Sequence, residues 1–425
     1  MGPLVVHRVS VPRNPGCERT GARYGVAVPS GPLSAEEVGS LRAELPFDPG
    51  RIHLNHAGDS PSPRSVLETQ LTHLRRECEI GGYEAAAEAA EADAAVYGSI
   101  AAMLGCDARE IARFEHATAA WNAAFWSVPM EAGQRILTAE VAYGANAIAY
   151  LHAEQTRKVR VEVVPSDETG QLDVAALAER MDDDVALVAI THVPTDGGLV
   201  NPAAAVGAVT REAGVPYLLD ACQSVGQLGL DVGELGCDLL SATGRKYLRG
   251  PRGTGFLFVS DTIVDRLLPA MPDLHGAEWI ESGDYRFAAG ARRFEHWEYN
   301  HAAWLGLGTA IDELRAIGID RVEATVRTRA DELRQALVDR GLPVFDLGAD
   351  RCGIVTTNVP AVAAEDAKAR LADAGINVSV TTRASTLWDF ERRGLDDMLR
   401  ISVHMTTTPD EIEICVINLL TLAAD

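Results

Sequence analysis

Short runs of consecutive apolar residues alternate with longer amphipathic stretches through the middle of the chain. Seven runs read as strands: Ile111–Glu115, Arg135–Thr138, Val159–Val164, Val185–Thr191, Pro216–Asp220, Cys237–Ser241 and Gly255–Val259. The stretches between them read as helices, one from Ala119, one ending at Tyr150, one over Asp173–Met181 and one after Pro202. An unbroken apolar run implies a strand buried on both faces. Such strands alternating with helices predict an α/β fold, a mostly parallel central sheet with helices on both faces. Ligands of such sheets bind beyond the carboxyl ends of the strands. Thr118, Asp220 and Thr243 each fall just after a predicted strand.

Ahead of this core, residues 1–33 are rich in Pro, Gly and Arg without a sustained period, which predicts a loosely attached arm. Ser34-Ala35-Glu36-Glu37 has the capping-box pattern that opens a short helix. A short strand and turn over Arg51–Pro61 precede a helix from Arg64 toward Ile80. Gly81-Gly82 breaks it before an alanine-rich helix over Tyr83–Leu104. After the core, a long helix over Ala302–Gln335 is expected to break near Gly318. Strands at Val344–Phe345, Gly353–Thr357 and Leu399–Val403, with helices at Ala364–Ala374 and Asp410–Ala423, read as a smaller α+β unit. Thr408, Pro409 and Glu411 mark the start of the last helix. The expected organisation is an arm and short helix over 1–50, a large domain over 51–310 and a small C-terminal domain over 311–425.

Composition narrows what this fold binds. A formal net charge of -23, from 61 acidic and 38 basic side chains, repels a phosphate backbone and argues against nucleic acid. No apolar stretch reaches the roughly 18 residues of a membrane span. The N-terminus lacks the apolar core of a signal peptide. Cys17, Cys78, Cys106, Cys222, Cys237, Cys352 and Cys415 form no Cys-x-x-Cys pair, so neither a disulfide framework nor a zinc site is indicated. His296 and His301 lie five apart, poor spacing for a metal pair on a helix. A cytoplasmic protein without membrane, nucleic-acid or metal partners is expected.

The most informative stretch is Leu239–Phe258, two apolar runs around a glycine-rich basic loop. Lys246 is its only lysine, beside Arg245, Arg249 and Arg252. Neighbouring cations and partial desolvation lower an amine's pKa, as Schiff-base formation requires. Asp220-Ala221-Cys222-Gln223 places a carboxylate at the end of an apolar strand, where a protonated ring nitrogen would partner it. Gln223 hydrogen-bonds either a ligand oxygen or the backbone. The turn Glu115-His116-Ala117-Thr118-Ala119-Ala120 offers free N–H groups, a hydroxyl and a helix dipole to a phosphate. An amine, an acid for a pyridinium and a phosphate cradle are the parts of a pyridoxal 5′-phosphate (PLP) site. Neither GxGxxG after the first strand nor GxxxxGK[ST] is present, which argues against a nucleotide-binding protein.

From Arg51 to its end the chain resembles the fold-type I PLP-dependent enzymes of the class V aminotransferase family. That group includes cysteine desulfurases, isopenicillin N epimerase-like proteins and cysteine S-conjugate lyases. The resemblance is carried by Leu54-Asn55-His56-Ala57-Gly58, His116-Ala117-Thr118, Glu140–Asn146, Asp220-Ala221-Cys222-Gln223, Thr243-Gly244-Arg245-Lys246 and Leu399-Arg400-Ile401-Ser402. It implies PLP as cofactor and a homodimer with the active site at the interface. It implies that Lys246 forms the Schiff base and moves protons at the substrate's Cα, and that Asp220 keeps the ring nitrogen protonated. Tyr143 is the candidate to stack on the ring, and Gln223 to contact its oxygen. Ala117, Thr118 and Thr243 would hold the phosphate, with Arg245, in place of the usual His, a further contact. Arg400 would bind the substrate α-carboxylate, with Asn55 and His56 on the substrate side.

Departures from the family pattern narrow the reaction. Desulfurases carry a nucleophilic cysteine on a loop shortly before the carboxylate-binding arginine. The corresponding stretch, Val378–Leu387, has none. Arg383 in that stretch reads a distal carboxylate of the substrate or pairs with Asp389 or Glu391. Phe294–His301 replaces the Gly-Thr with which many relatives reach the partner subunit's phosphate. It keeps that role through main-chain groups, lines the pocket with Trp297 and Tyr299, or packs at the interface. The arginine-rich loop around Lys246 is similar to that of lyases cleaving cysteine-derived conjugates in actinobacterial thiol and antibiotic pathways. The expected activity is a PLP-dependent C–S β-lyase releasing a thiol, pyruvate and ammonia. Decarboxylating deamination, epimerisation and transamination are the alternatives. Tyr143, Tyr247, Tyr299 and His56 remain open as the second acid or base.

Overall fold

The apolar runs in the middle of the chain assemble into one seven-stranded sheet. The structure, a computed structural model, describes residues 31–424, so the arm expected at the N-terminus lies almost wholly outside the described residues. The chain begins with α1 (Ala35–Ala43), β1 (Ile52–His53), α2 (Arg64–Ile80), α3 (Gly82–Glu88) and α4 (Ala90–Leu104). Then follow β2 (Ile111–Phe114), α5 (Ala117–Ser127), β3 (Arg135–Ala139), α6 (Gly144–Arg157), β4 (Arg160–Val164) and α7 (Val174–Glu179). The middle continues with β5 (Val185–Thr191), α8 (Ala203–Ala213), β6 (Tyr217–Asp220), α9 (Val232–Leu235), β7 (Leu239–Thr243) and β8 (Gly255–Val259).

The strand order is β2-β8-β7-β6-β5-β3-β4, parallel from β7 through β4. Successive residues go to opposite faces, which explains the unbroken apolar runs. Leu187, Leu218 and Leu239 pack with α5 and α6, whereas Val188, Leu219 and Leu240 join the larger cluster on the other face. All seven residues of β5 are buried. Only β8 runs against its neighbours, so its first residue, Gly255, lies opposite both Thr243 and Phe114. The antiparallel return brings the Lys246 loop back to the edge where β2 and β7 end.

The C-terminal part begins with the exposed hairpin β9 (Ala277–Glu281) and β10 (Asp284–Phe287), then α10 (His301–Ile317) and α11 (Ile319–Asp339), which separate at Gly318. It closes with β11 (Ile354–Thr357), α12 (Ala364–Asp373), β12 (Ile376–Asn377), β13 (Ser379–Thr381), α13 (Leu387–Arg393), β14 (Met398–Ser402) and α14 (Pro409–Ala424). Strands β11, β14 and β13 form an antiparallel three-stranded sheet. β1 pairs in parallel with β12, and Asn55 bridges Ser402. These pairings fasten residues 52–57 to the C-terminal elements.

Both expected capping boxes are present, Ser34 with Glu37 and Thr408 with Glu411. Some boundaries differ from the sequence reading. The expected helix over 83–104 is two helices divided at Ala89. The expected strand at Val344–Phe345 is a single bridge from Val344 to Thr357. The β9–β10 hairpin was not expected, because exposed residues of both kinds leave no burial pattern there. Among the described residues no helix is long and apolar enough to cross a membrane.

Candidate active site

A cavity of about 320 Å³ opens at the edge where β2, β5, β6 and β7 end. That is at the lower end of small-ligand sites, which span roughly 300–1,000 Å³. Eight of the residues named from sequence line it: Ala117, Thr118, Tyr143, Asp220, Gln223, Thr243, Arg245 and Lys246.

Lys246 follows β7 in a tight turn in which Arg249 N–H donates to Lys246 O (2.9 Å) and Gly250 N–H to Gly244 O (2.9 Å). Gly226, at φ +93°, lets the turn after Gln223 press on this loop; a Cβ there would lie 2.7 Å from Leu248 N. Among the described residues the half-buried Lys246 amine has no hydrogen bond or ion pair. Burial first, then Arg245 and Arg400, hold its pKa below the ordinary lysine value, against the opposing pull of Cys222 and Asp220. More of the amine is therefore neutral and nucleophilic than in an exposed lysine.

Asp220 ends β6 and is 4% exposed. Its Oδ2 accepts from Asn146 Nδ2 (2.8 Å) and its Oδ1 from Cys222 N (3.0 Å). Asn146, in the first turn of α6, was missed in the sequence reading, although it lies three residues beyond Tyr143. Tyr143 is the N-cap residue of α6, and its N–H donates to Thr191 Oγ1 (3.1 Å). Gln223 Nε2 donates to Ala57 O (3.1 Å), and Gln223 Oε1 is buried with no partner among the described residues.

The opposite end of the cavity is cationic. His116 caps α5, its Nδ1 accepting from Ala119 N (3.1 Å). Among the described residues, that leaves the N–H groups of Ala117 and Thr118 without an acceptor. Arg245 Nη1 donates to Thr243 Oγ1 (3.3 Å). PLP fits this donor set. Lys246 offers an amine, Asp220 an anchored carboxylate, Gln223 an unpartnered buried oxygen beside the cavity, and the α5 start an anion cradle.

Arg400, on β14, is 7% exposed and stands behind the lining. Its Nη1 donates to Thr195 O (3.3 Å) and Thr195 Oγ1, and its Nη2 to Asn55 Oδ1 (3.3 Å). Thr195 lines the cavity and also meets Gln223 Nε2 (3.5 Å). It too was missed, since nothing in the loop after β5 marks it by period or motif.

Two named residues lie elsewhere. The Asn55–Ser402 bridge turns Asn55 toward Arg400, and the next side chain, His56, away from it. His56 sits between His53 (centroids 4.8 Å apart) and His404 (4.9 Å) and lines a second cavity with His53, Arg42 and Glu411. Burial holds it well below the usual histidine pKa. Arg383 is exposed and pairs with Glu391 (2.6 Å), the surface alternative of the two open readings. Of the four acid–base candidates only Tyr143 lines the main cavity. Tyr247 is fully buried, and Tyr299 is held by Asp93 (2.6 Å) under Arg113. In the segment before α10, Trp297 is exposed. Glu295 is buried, accepting from Arg113 N (2.8 Å) and Arg292 Nη1 (3.2 Å).

The family model described as aminotransferase class-V matches residues 52–415. The chain is 24% identical over 385 residues to a probable cysteine desulfurase of Methanothermobacter thermautotrophicus, covering 88% of this chain and 95% of that protein. It is 29% identical over 398 residues to a probable hercynylcysteine sulfoxide lyase of Mycobacterium tuberculosis, covering 92% and 94%. The solved apo structure of cysteine desulfurase from Thermococcus onnurineus superposes with a TM-score of 0.84 at 21% identity, covering 91% and 98%.

Proposed function

Because the chain belongs to the aminotransferase class-V family, and is a PLP-dependent enzyme, we propose that it is a C–S β-lyase. Its substrate would be an S-substituted cysteine, thioether or sulfoxide, and with a thioether its products a thiol, pyruvate and ammonia. The observation that carries this reading is the state of Cys222, the one thiol that the described residues place in the cavity wall. Cys222 lines the cavity, but burial first and Asp220 second push its pKa far above the ordinary thiol value. A protonated thiol is a poor acceptor of sulfur. The Val378–Leu387 stretch supplies no other cysteine. Sulfur transfer needs a thiolate, whereas β-elimination needs only a base at Cα and an exit for the sulfur. The sulfoxide lyase among the relatives supports the same choice.

Bound PLP supplies an aldehyde for the amine and a cationic ring that draws electrons from the substrate's Cα. Asp220, anchored by Asn146 and Cys222 N–H, stabilises positive charge at the ring nitrogen. Arg400, braced by Thr195 and Asn55, binds the α-carboxylate and orients the Cα–H bond. Lys246 takes the Cα proton, and the sulfur leaves Cβ with its bonding pair. The released 2-aminoacrylate then takes up water to give pyruvate and ammonia. Thr118, Ala117, Thr243 and Arg245 would hold the phosphate, and Tyr143 would lie against the ring. A homodimer with its site at the interface and a cytoplasmic setting belong to the same proposal. The exposed Leu268, Met271, Leu274, Trp279 and Trp297 support a second copy covering this stretch.

Cysteine desulfuration is the second reading, favoured by the position of Cys222 in the wall and by the desulfurases among the relatives. Cys222→Ser separates the two. The lyase reading expects pyruvate release from S-substituted cysteines to persist in the variant. Loss of turnover in Cys222→Ser, with alanine as the wild-type product from cysteine, would transfer the assignment to desulfuration.

A further inference from the structure

We propose that Arg252 is a cofactor-binding residue whose guanidinium supplies the second cation for the PLP phosphate. The inference rests on the PLP assignment and not on the lyase reading. Arg252 lines the same cavity as Thr118, Thr243 and Arg245.

Its place follows from the sheet. β8 returns antiparallel between β2 and β7, so the residues just before Gly255 emerge at the edge where those strands end. A Cβ on Gly255 would lie 2.8 Å from His116 C and 3.0 Å from Ala117 N. The loop carrying Arg252 therefore packs directly on the start of α5, where the N–H groups of Ala117 and Thr118 have no acceptor among the described residues. Gly253 lines both the main cavity and a small recess formed with Glu115 and Phe114.

The side chain is also uncommitted. Arg252 is 81% exposed, and its contact is Asp59, Nε to Oδ2 at 3.6 Å, beyond hydrogen-bond distance. Among the described residues no acceptor takes any of its N–H groups. Asp59 faces Arg245 as well as Arg252. With Arg245 alone, Asp59 cancels the one full positive charge at this end. The helix start then contributes only about half a charge toward a dianion. Arg252 restores a full positive charge, in a planar fork suited to phosphate oxygens.

The test uses the full-length protein, stripped of cofactor and reloaded with PLP or with pyridoxal, which lacks the phosphate. Dissociation constants are read from the absorbance of the bound cofactor. Arg252→Gln is expected to weaken PLP about tenfold or more and to leave pyridoxal unchanged. Arg252→Lys should fall between. Unchanged pyridoxal binding also shows that the variant is folded. If Arg252→Gln binds PLP as wild type does, or loses PLP and pyridoxal equally, the proposal is overturned.

Discussion

Gly255→Ala should dislodge the phosphate end of the site without touching a catalytic group. The new Cβ would lie 2.8 Å from Ala242 O, 2.8 Å from His116 C and 3.0 Å from Ala117 N. Comfortable separation for such atoms starts at roughly 3.5 Å, so the overlap is about 0.7 Å. All three neighbours are backbone. Ala242 is held in the β7–β8 ladder opposite Phe256, so the α5 start must give way. Overpacking of this kind costs about 1–3 kcal/mol. A phosphate contact near 2.9 Å, stretched by about 0.7 Å, is no longer a hydrogen bond. One lost charge-assisted bond weakens binding by about 10- to 100-fold. The assay is a PLP titration of the stripped full-length chain, with thermal melts in parallel. A Gly255→Ala protein that binds PLP within about twofold of wild type would refute the placement of the phosphate on α5.

Other consequences follow from particular contacts. Arg400→Ala should lower kcat/KM by about 10- to 100-fold, chiefly through KM, and leave PLP affinity unchanged. Arg400→Lys should recover little, because the fork that meets Thr195 and Asn55 is lost. Glu295→Gln leaves buried Arg113 and its neighbour Arg292 without their shared carboxylate and should destabilise the fold by about 3–5 kcal/mol in urea unfolding. Asp196 is 3% exposed, and burial first and Asp389 second push its pKa from 3.8 up to about 7. The folded state then holds a proton that the unfolded state has released, so this group makes stability fall as pH rises from 3.8 to about 7. Asp196→Asn should flatten that limb of a Tm-against-pH curve; an unchanged slope would remove Asp196 as its source.

Much of this site was legible because strands buried on both faces leave an unmistakable apolar run. The chemistry then falls at the ends of the runs. Asp220 and Thr243 end their strands, Lys246 follows β7, and the sheet carries all of them to one edge. What stayed hidden depends on register and on isolated side chains. Asn55 and His56 are adjacent in sequence, and only the pairing with Ser402 decides which one faces Arg400. Thr195 and Asn146 act through a few individual hydrogen bonds, which leave no spacing to read. Arg252 shares its basic loop with Arg249, and nothing in the sequence ranks one of these two above the other. The structure separates them: Arg249 is buried, Arg245 and Lys246 half-buried, and Arg252 reaches the cavity mouth. The break at Ala89 occurs among alanines, where no helix-breaking residue marks it.

The most direct measurement of the central claim is product analysis with the full-length PLP-loaded enzyme and a panel of S-substituted cysteines and their sulfoxides. The account predicts pyruvate and ammonia in equal amounts from wild type, together with the thiol when the substrate is a thioether, and none above background from Lys246→Ala. Alanine with transferred sulfur, or an epimerised, transaminated or decarboxylated amino acid without pyruvate, would contradict it.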